Sequence, residues 1–223
     1  MKPFVLDIET GARRLAEIES LLPAIEPPSN WKDEAKRTEY VRQRREDLLR
    51  TAALDATLGR ILCVGVLRAD DEPLFIHDDD NEAGLLHRTW HLLATKRSGE
   101  LFVTYNGTKF DWPFMFRRSL ACGVPVPDWF PRDGRWPRHA HADLAEWWSC
   151  GDRSEHISLD RLLRLCGLGG KTASGADFAR LWATDRAAAL DYLANDLRLT
   201  RSLYGRMRAA VISHVREESG FAA

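Results

Sequence analysis

The sequence predicts an α/β or α+β fold in which a sheet is flanked by helices. Three observations predict it. The apolar run around Phe4-Val5-Leu6 and Ile8 is nearly continuous, as in a strand covered on both faces. Strand-like and helix-like segments then alternate as far as Ala121. The chain closes on a long helix-compatible stretch from Asp185 to about His214.

The elements follow in order. The first strand covers residues 3–8. Residues 11–59 are too long for a hairpin connection. Pro23, Pro27 and Pro28 break the first part, and Lys32–Arg50 is helix-compatible, with seven basic and five acidic residues. This segment reads as a helical insertion after strand 1. It is either a solvated helix or a clamp for a polyanion. Strands follow at Arg60–Leu67 and Pro73–Ile76. Glu82–Thr95 is a helix with Leu85, Leu86, Leu92 and Leu93 on its apolar face. Leu101–Tyr105 is a strand. Asp111–Ala121 is a helix carrying Phe114, Met115 and Leu120, ended by Gly123 and Pro125. Short helices are expected at Leu159–Leu165 and Asp177–Trp182.

A chain of 223 residues can bury a proper core, and the reading is one domain over residues 1–223. The composition, 44% apolar and 29% charged, is that of a globular protein. No run of about 18 apolar residues exists, which argues against a membrane span. The N-terminal apolar stretch is too short and too charged for a secretory signal. Cys63, Cys122, Cys150 and Cys166 form no Cys-x-x-Cys pair and read as buried reduced thiols, which predicts a cytoplasmic protein. The net charge of −1 neither announces nor excludes a nucleic-acid partner, because an acidic site offsets basic patches.

Chemistry concentrates in three blocks. In the first strand Asp7 and Glu9 stand two residues apart, so both point to one face. Buried carboxylates need a partner or a metal; at a strand end they simply meet water. The second block is Asn106-Gly107-Thr108-Lys109-Phe110-Asp111, a turn opening a helix in which Pro113 suits the first turn. Asp111 there is a helix cap or a ligand. In the third block, Tyr192 and Asp196 are spaced i, i+4 on one helix face. Hard divalent cations take oxygen ligands, and a pair of them needs several carboxylates converging from different elements.

In order and spacing these blocks resemble the DEDD family of 3′→5′ exonucleases. Asp7-Ile8-Glu9 matches its Asp-x-Glu motif, Asn106 through Asp111 its Asn-x-x-x-Phe-Asp motif, and Tyr192-x-x-x-Asp196 the third motif of its tyrosine subgroup. Within that family the chain resembles the proofreading domains of family-B DNA polymerases and their stand-alone relatives. Ala53 through Ile61 and Ser158 through Lys171 also resemble segments of those domains. The resemblance implies an RNase H-like mixed sheet with helices on both sides. It implies two Mg²⁺ or Mn²⁺ ions held by Asp7, Glu9, Asp111 and Asp196, with Tyr192 orienting the attacking water. The expected substrate is the 3′ end of single-stranded or frayed DNA, releasing nucleoside 5′-monophosphates. The alternatives are an RNA-trimming exonuclease and a catalytically silent nucleic-acid-binding module, and a DNA polymerase or repair partner is possible.

Candidate substrate contacts are Thr10, Asn106, Phe110, Trp112 and Lys171. Trp112, beside Asp111, is expected near a terminal base, and Lys171 near the backbone. One of Arg117 and Arg118 is a candidate to face the substrate channel. Arg132, Arg135 and Arg138, interleaved with Trp129, Phe130 and Trp136, read either as a strand-gripping patch or as a packed loop with exposed arginines. Gly167 through Thr172 is not a P-loop, because position 165 is Leu and the segment follows a helix. His139, His141 and Asp143 lack matching Cys or His for zinc. That cluster is expected to lead into a strand or helix near the site.

Overall fold

The computed structural model describes residues 1–217, apart from 70, 134, 138, 153, 156 and 171–174; side chains of 175–177 and 211–217 are also not described. The strands are β1 (Lys2–Ala12), β2 (Gly59–Arg68), β3 (Leu74–His77), β4 (Glu100–Thr104) and β5 (His141–Asp143). They form one mixed sheet in the order β3-β2-β1-β4-β5. β1 is antiparallel to β2 and parallel to β4; β3 is antiparallel to β2, and β5 parallel to β4.

Helices cover both faces. On one, Phe4, Leu6 and Ile8 of β1 pack with Leu85, Leu86, Trp90 and Leu93 of α3 (Glu82–Ala94) and with Phe114 and Met115 of α4 (Asp111–Ala121). On the other, Val5, Cys63 and Leu67 meet three helices. These are α6 (Leu159–Leu165), α7 (Gly175–Thr184) and the 32-residue α8 (Arg186–Glu217). Burial on both faces explains why the strands read as apolar runs rather than as alternations. Leu120 is an exception in α4, since it is 63% exposed and not part of the core.

β1 runs longer than the sequence predicts, to Ala12, because its far end stays paired with β2 as far as Ala12↔Gly59. Gly11 and Ala12 therefore belong to the sheet, not the insertion. The insertion contains α1 (Leu15–Ile18), a 3₁₀ turn at Glu19–Leu21 and α2 (Glu34–Thr51), and returns through a second 3₁₀ turn at Ala52–Leu54. A small cluster of Ile18, Ala52 and Leu58 anchors its two ends. α2 buries no residue, and its charges pair within reach: Arg42 with Glu39 and Glu46, Arg50 with Asp47. The cysteines are free, but only Cys63 is buried; Cys150 is exposed, which corrects the expectation of four buried thiols. Among the described residues no helix is long and apolar enough to cross a membrane.

Candidate active site

Strand alternation places Val5, Asp7 and Glu9 on the face covered by α8, while Leu6 and Ile8 fill the opposite core. The register breaks between Glu9 and Thr10, so pairing with β2 skips from Cys63 to Ile61. α8 crosses this face and presents Tyr192 and Asp196 one turn apart, both buried. Gly65 permits the approach: a Cβ there would lie 2.9 Å from both Leu193 Cγ and Leu197 Cδ1. Carboxylate oxygens of Asp7, Glu9 and Asp196 consequently lie within 4.8 Å of one another. Residues nearly 190 positions apart in sequence share one cage.

Asp111 enters from the other side of β1. Parallel pairing with β4 ends at Val5↔Val103, so the edge of β1 beyond that point needs other partners. The Ile8 N–H donates to Asp111 Oδ1 at 3.0 Å. Asp111 is the first residue of α4, not its N-cap; its side chain ties the helix to β1. Burial, and after it the negative charge of Asp7, pushes the Asp111 carboxyl well above the usual carboxylate range. The N–H groups of Ile8 and of Asp111 itself oppose this, and the charge of Asp143 adds to it. The Tyr192 phenol is also pushed far up, first by burial and then by the charges of Asp196 and Glu9. It is a neutral O–H at physiological pH, close to three carboxylates.

The remaining sequence candidates divide. Thr10, Asn106 and Phe110 are half-buried, the first near the end of β1 and the other two in the turn before α4. Phe110 also packs on Phe114 at 5.4 Å. Trp112 is corrected: it is 1% exposed, stacks on Trp90, packs against Trp136 and the edge of Phe102, and donates from Nε1 to His141 Nε2 at 3.2 Å. No ring face remains for a base, because Pro113 and the first turn of α4 send the side chain inward. Arg118 is likewise removed from any channel; it is buried and donates to Glu82 Oε2 at 2.7 Å and to the Ala56 carbonyl. Phe130 stacks on Phe116 and Trp136 packs on Trp112, so the packed-loop reading of this stretch applies, with Arg132 and Arg135 exposed. Lys171 and Arg138 lie outside the described residues.

His141 and Asp143 carry more structure than their sequence context suggests. His141 Nε2 receives the Trp112 N–H and contacts Thr104 Oγ1 at 2.8 Å, so it acts as an acceptor. Burial lowers its pKa to about 4. Asp143 caps α5 (Leu144–Ser149) and also binds the turn before Asp111. Asp143-x-x-Glu146 is a capping signature in the sequence, but the long-range contacts leave no local signal.

Residues 54–219 match the family described as a predicted 3′-5′ exonuclease related to the exonuclease domain of PolB. The chain belongs to this family. The match takes in Asp111, Tyr192 and Asp196 and begins after Asp7 and Glu9. Beyond the family match, this PolB-exonuclease relative is 40% identical over 57 residues to the catalytic subunit of DNA polymerase epsilon from Schizosaccharomyces pombe, which is 25% of the chain and 2% of that protein. Its fold is similar to that of one part of the family B DNA polymerase from the archaeon Pyrobaculum calidifontis, at TM-score 0.54 and 17% identity, over 95% of this chain and 24% of that one. A product-bound exonuclease I aligns at TM-score 0.45 and 14% identity, over 96% of this chain and 46% of that one. The PolB-exonuclease relative therefore spans only a small part of the polymerases it matches. The mixed sheet and its helices are of the RNase H-like exonuclease kind.

Proposed function

We propose that this chain removes nucleotides from the 3′ end of single-stranded or frayed DNA, releasing nucleoside 5′-monophosphates with the help of two divalent cations. The observation that carries the reading is the convergence of Asp7, Glu9 and Asp196 oxygens within 4.8 Å, beside a neutral tyrosine. An all-oxygen donor set from two elements suits Mg²⁺ or Mn²⁺ rather than zinc. Asp111 fits as a fourth donor, since a buried carboxyl beside Asp7 is the kind of group a cation restores to the charged form. Bound there, such ions would supply Lewis-acid stabilisation of the charge on the phosphoryl group and lower the pKa of an attacking water.

The chain's own residues do the rest. Tyr192, kept neutral, donates or accepts one hydrogen bond and orients that water. Thr10, Asn106 and Phe110 receive the terminal nucleotide. Burial of Asp196 and Glu9 excludes bulk water and strengthens each electrostatic contact. The choice of DNA follows the polymerases the chain resembles.

The test is a degradation assay with Mn²⁺ on end-labelled linear DNA, linear RNA and circular single-stranded DNA, with Asp7→Ala as control. A ladder shortening from the 3′ end of DNA, absent in Asp7→Ala, supports the reading. Preferential cutting of RNA would move the substrate to the RNA trimmers. Cutting of circles at an equal rate, or no metal-dependent cutting, would overturn it.

A further inference from the structure

We propose that Asp143 is a positioning residue that fixes the Asp111 arm of the cation cage; this rests on the reading of Asp111 as a cation ligand. β5 brings Asp143 directly beside Thr104, its register partner at the end of β4. The chain leaves β4 there and turns tightly over Thr104 toward α4. Asn106 adopts a left-handed conformation, φ 63°, and a Cβ on Gly107 would lie 2.5 Å from the Thr104 side chain. A turn this compressed points its N–H groups inward, where they need an acceptor.

Asp143 supplies it. One oxygen accepts from Asn106 N–H at 2.8 Å and from Ala145 N–H at 3.0 Å; the other accepts from Thr108 N–H at 2.9 Å. The side chain is 3% exposed, so water cannot substitute. Three residues beyond Thr108, the turn delivers Asp111 to the Ile8 N–H. The next residue, Trp112, is held by His141, which precedes Asp143 on the same face of β5. Two side chains of one short strand thus grip the turn and the helix start on either side of Asp111. A buried anion near Asp111 also adds to the attraction for a cation bound there.

The rival is a plain helix cap for α5, and a serine separates the two, because serine caps a helix but cannot reach both loop donors or carry charge. Full-length wild type, Asp143→Ser and Asp111→Asn are titrated with Mn²⁺ by calorimetry, and kcat and KM are measured on a DNA oligonucleotide. Asp143→Ser is expected to weaken one of two Mn²⁺ ions roughly 10- to 100-fold, the range for residues that orient metal ligands. The other ion should be unaffected, and kcat should fall by more than KM rises. Should Asp143→Ser not fold, Asp143→Asn keeps one acceptor oxygen and is read the same way. Wild-type Mn²⁺ binding in Asp143→Ser, with one ion lost in Asp111→Asn, overturns the positioning role and leaves the cation site standing. Two ions retained in Asp111→Asn overturns the ligand reading itself, and this inference with it.

Discussion

Gly65→Ala tests whether the docking of α8 sets the geometry of the site. The added methyl carbon would sit 2.9 Å from Leu193 Cγ and 2.9 Å from Leu197 Cδ1. Carbon atoms in good contact stand about 3.5–4.0 Å apart, so each contact is short by roughly 0.6–1.1 Å. Both leucines are fully buried, on successive turns of α8, so a swing of one leaves the other in place. The cheapest response is a retreat of α8 from β2 by a large part of an ångström. Overpacking of this kind costs about 1–3 kcal/mol. For a domain of this size that is a fall of about 2–4 °C in Tm per kcal/mol. The larger effect is on chemistry, because Tyr192 and Asp196 ride on the same helix. A misplacement of about 1 Å can cost about 10²-fold in rate. The assay is kcat on a linear oligonucleotide at saturating Mn²⁺, with circular dichroism to confirm the fold. Leu193→Ala in the Gly65→Ala background should restore part of the rate by making room. A folded Gly65→Ala protein that cuts as fast as wild type would refute the argument that this close approach positions the third arm of the site.

The other expectations concern the carboxylate cluster and its surroundings. Mn²⁺ at a hundredfold over its Kd should stabilise the wild type by about 2.7 kcal/mol by mass action, and Asp7→Ala should lose most of that gain; an equal gain in both would mean the ion binds elsewhere. Tyr192→Phe should fold normally and lose about 10²–10⁴ in kcat, and full activity would remove the water-orienting role. His141 titrates near 6.5 when unfolded and at about 4 in the fold, so the unfolded state binds the extra proton between those values. Its contribution is fully present above about pH 6.5 and is lost as pH falls toward 4, by up to about 3 kcal/mol. His141→Gln should flatten that part of the stability–pH curve measured by denaturant unfolding, and an unchanged slope would assign it to other groups.

The sequence by itself paired the candidate residues, because their spacing is local. Asp7 and Glu9 share a face through the two-residue period of a strand, and Tyr192 and Asp196 through the turn of a helix. It also determined most elements: α3, α4, α6 and α8 fall where their apolar spacing and capping residues put them. The tertiary structure decided which side chains face the cage and which face the core. Trp112 follows Asp111 directly, yet the helix turn sends it into a cluster of aromatic rings supplied from residues 90–136. Arg118 is a candidate for the substrate channel in sequence and a buried partner of Glu82 in the fold. β5 is three residues long, too short to show any periodicity, so it exists only because the edge of β4 is there to pair with. For the same reason Asp143 could be seen in the sequence as a helix cap and only in the fold as the acceptor for the turn before Asp111. Hydrogen bonds across 35 and 37 residues, such as these, depend on where the sheet brings two segments together, and no local pattern encodes that meeting.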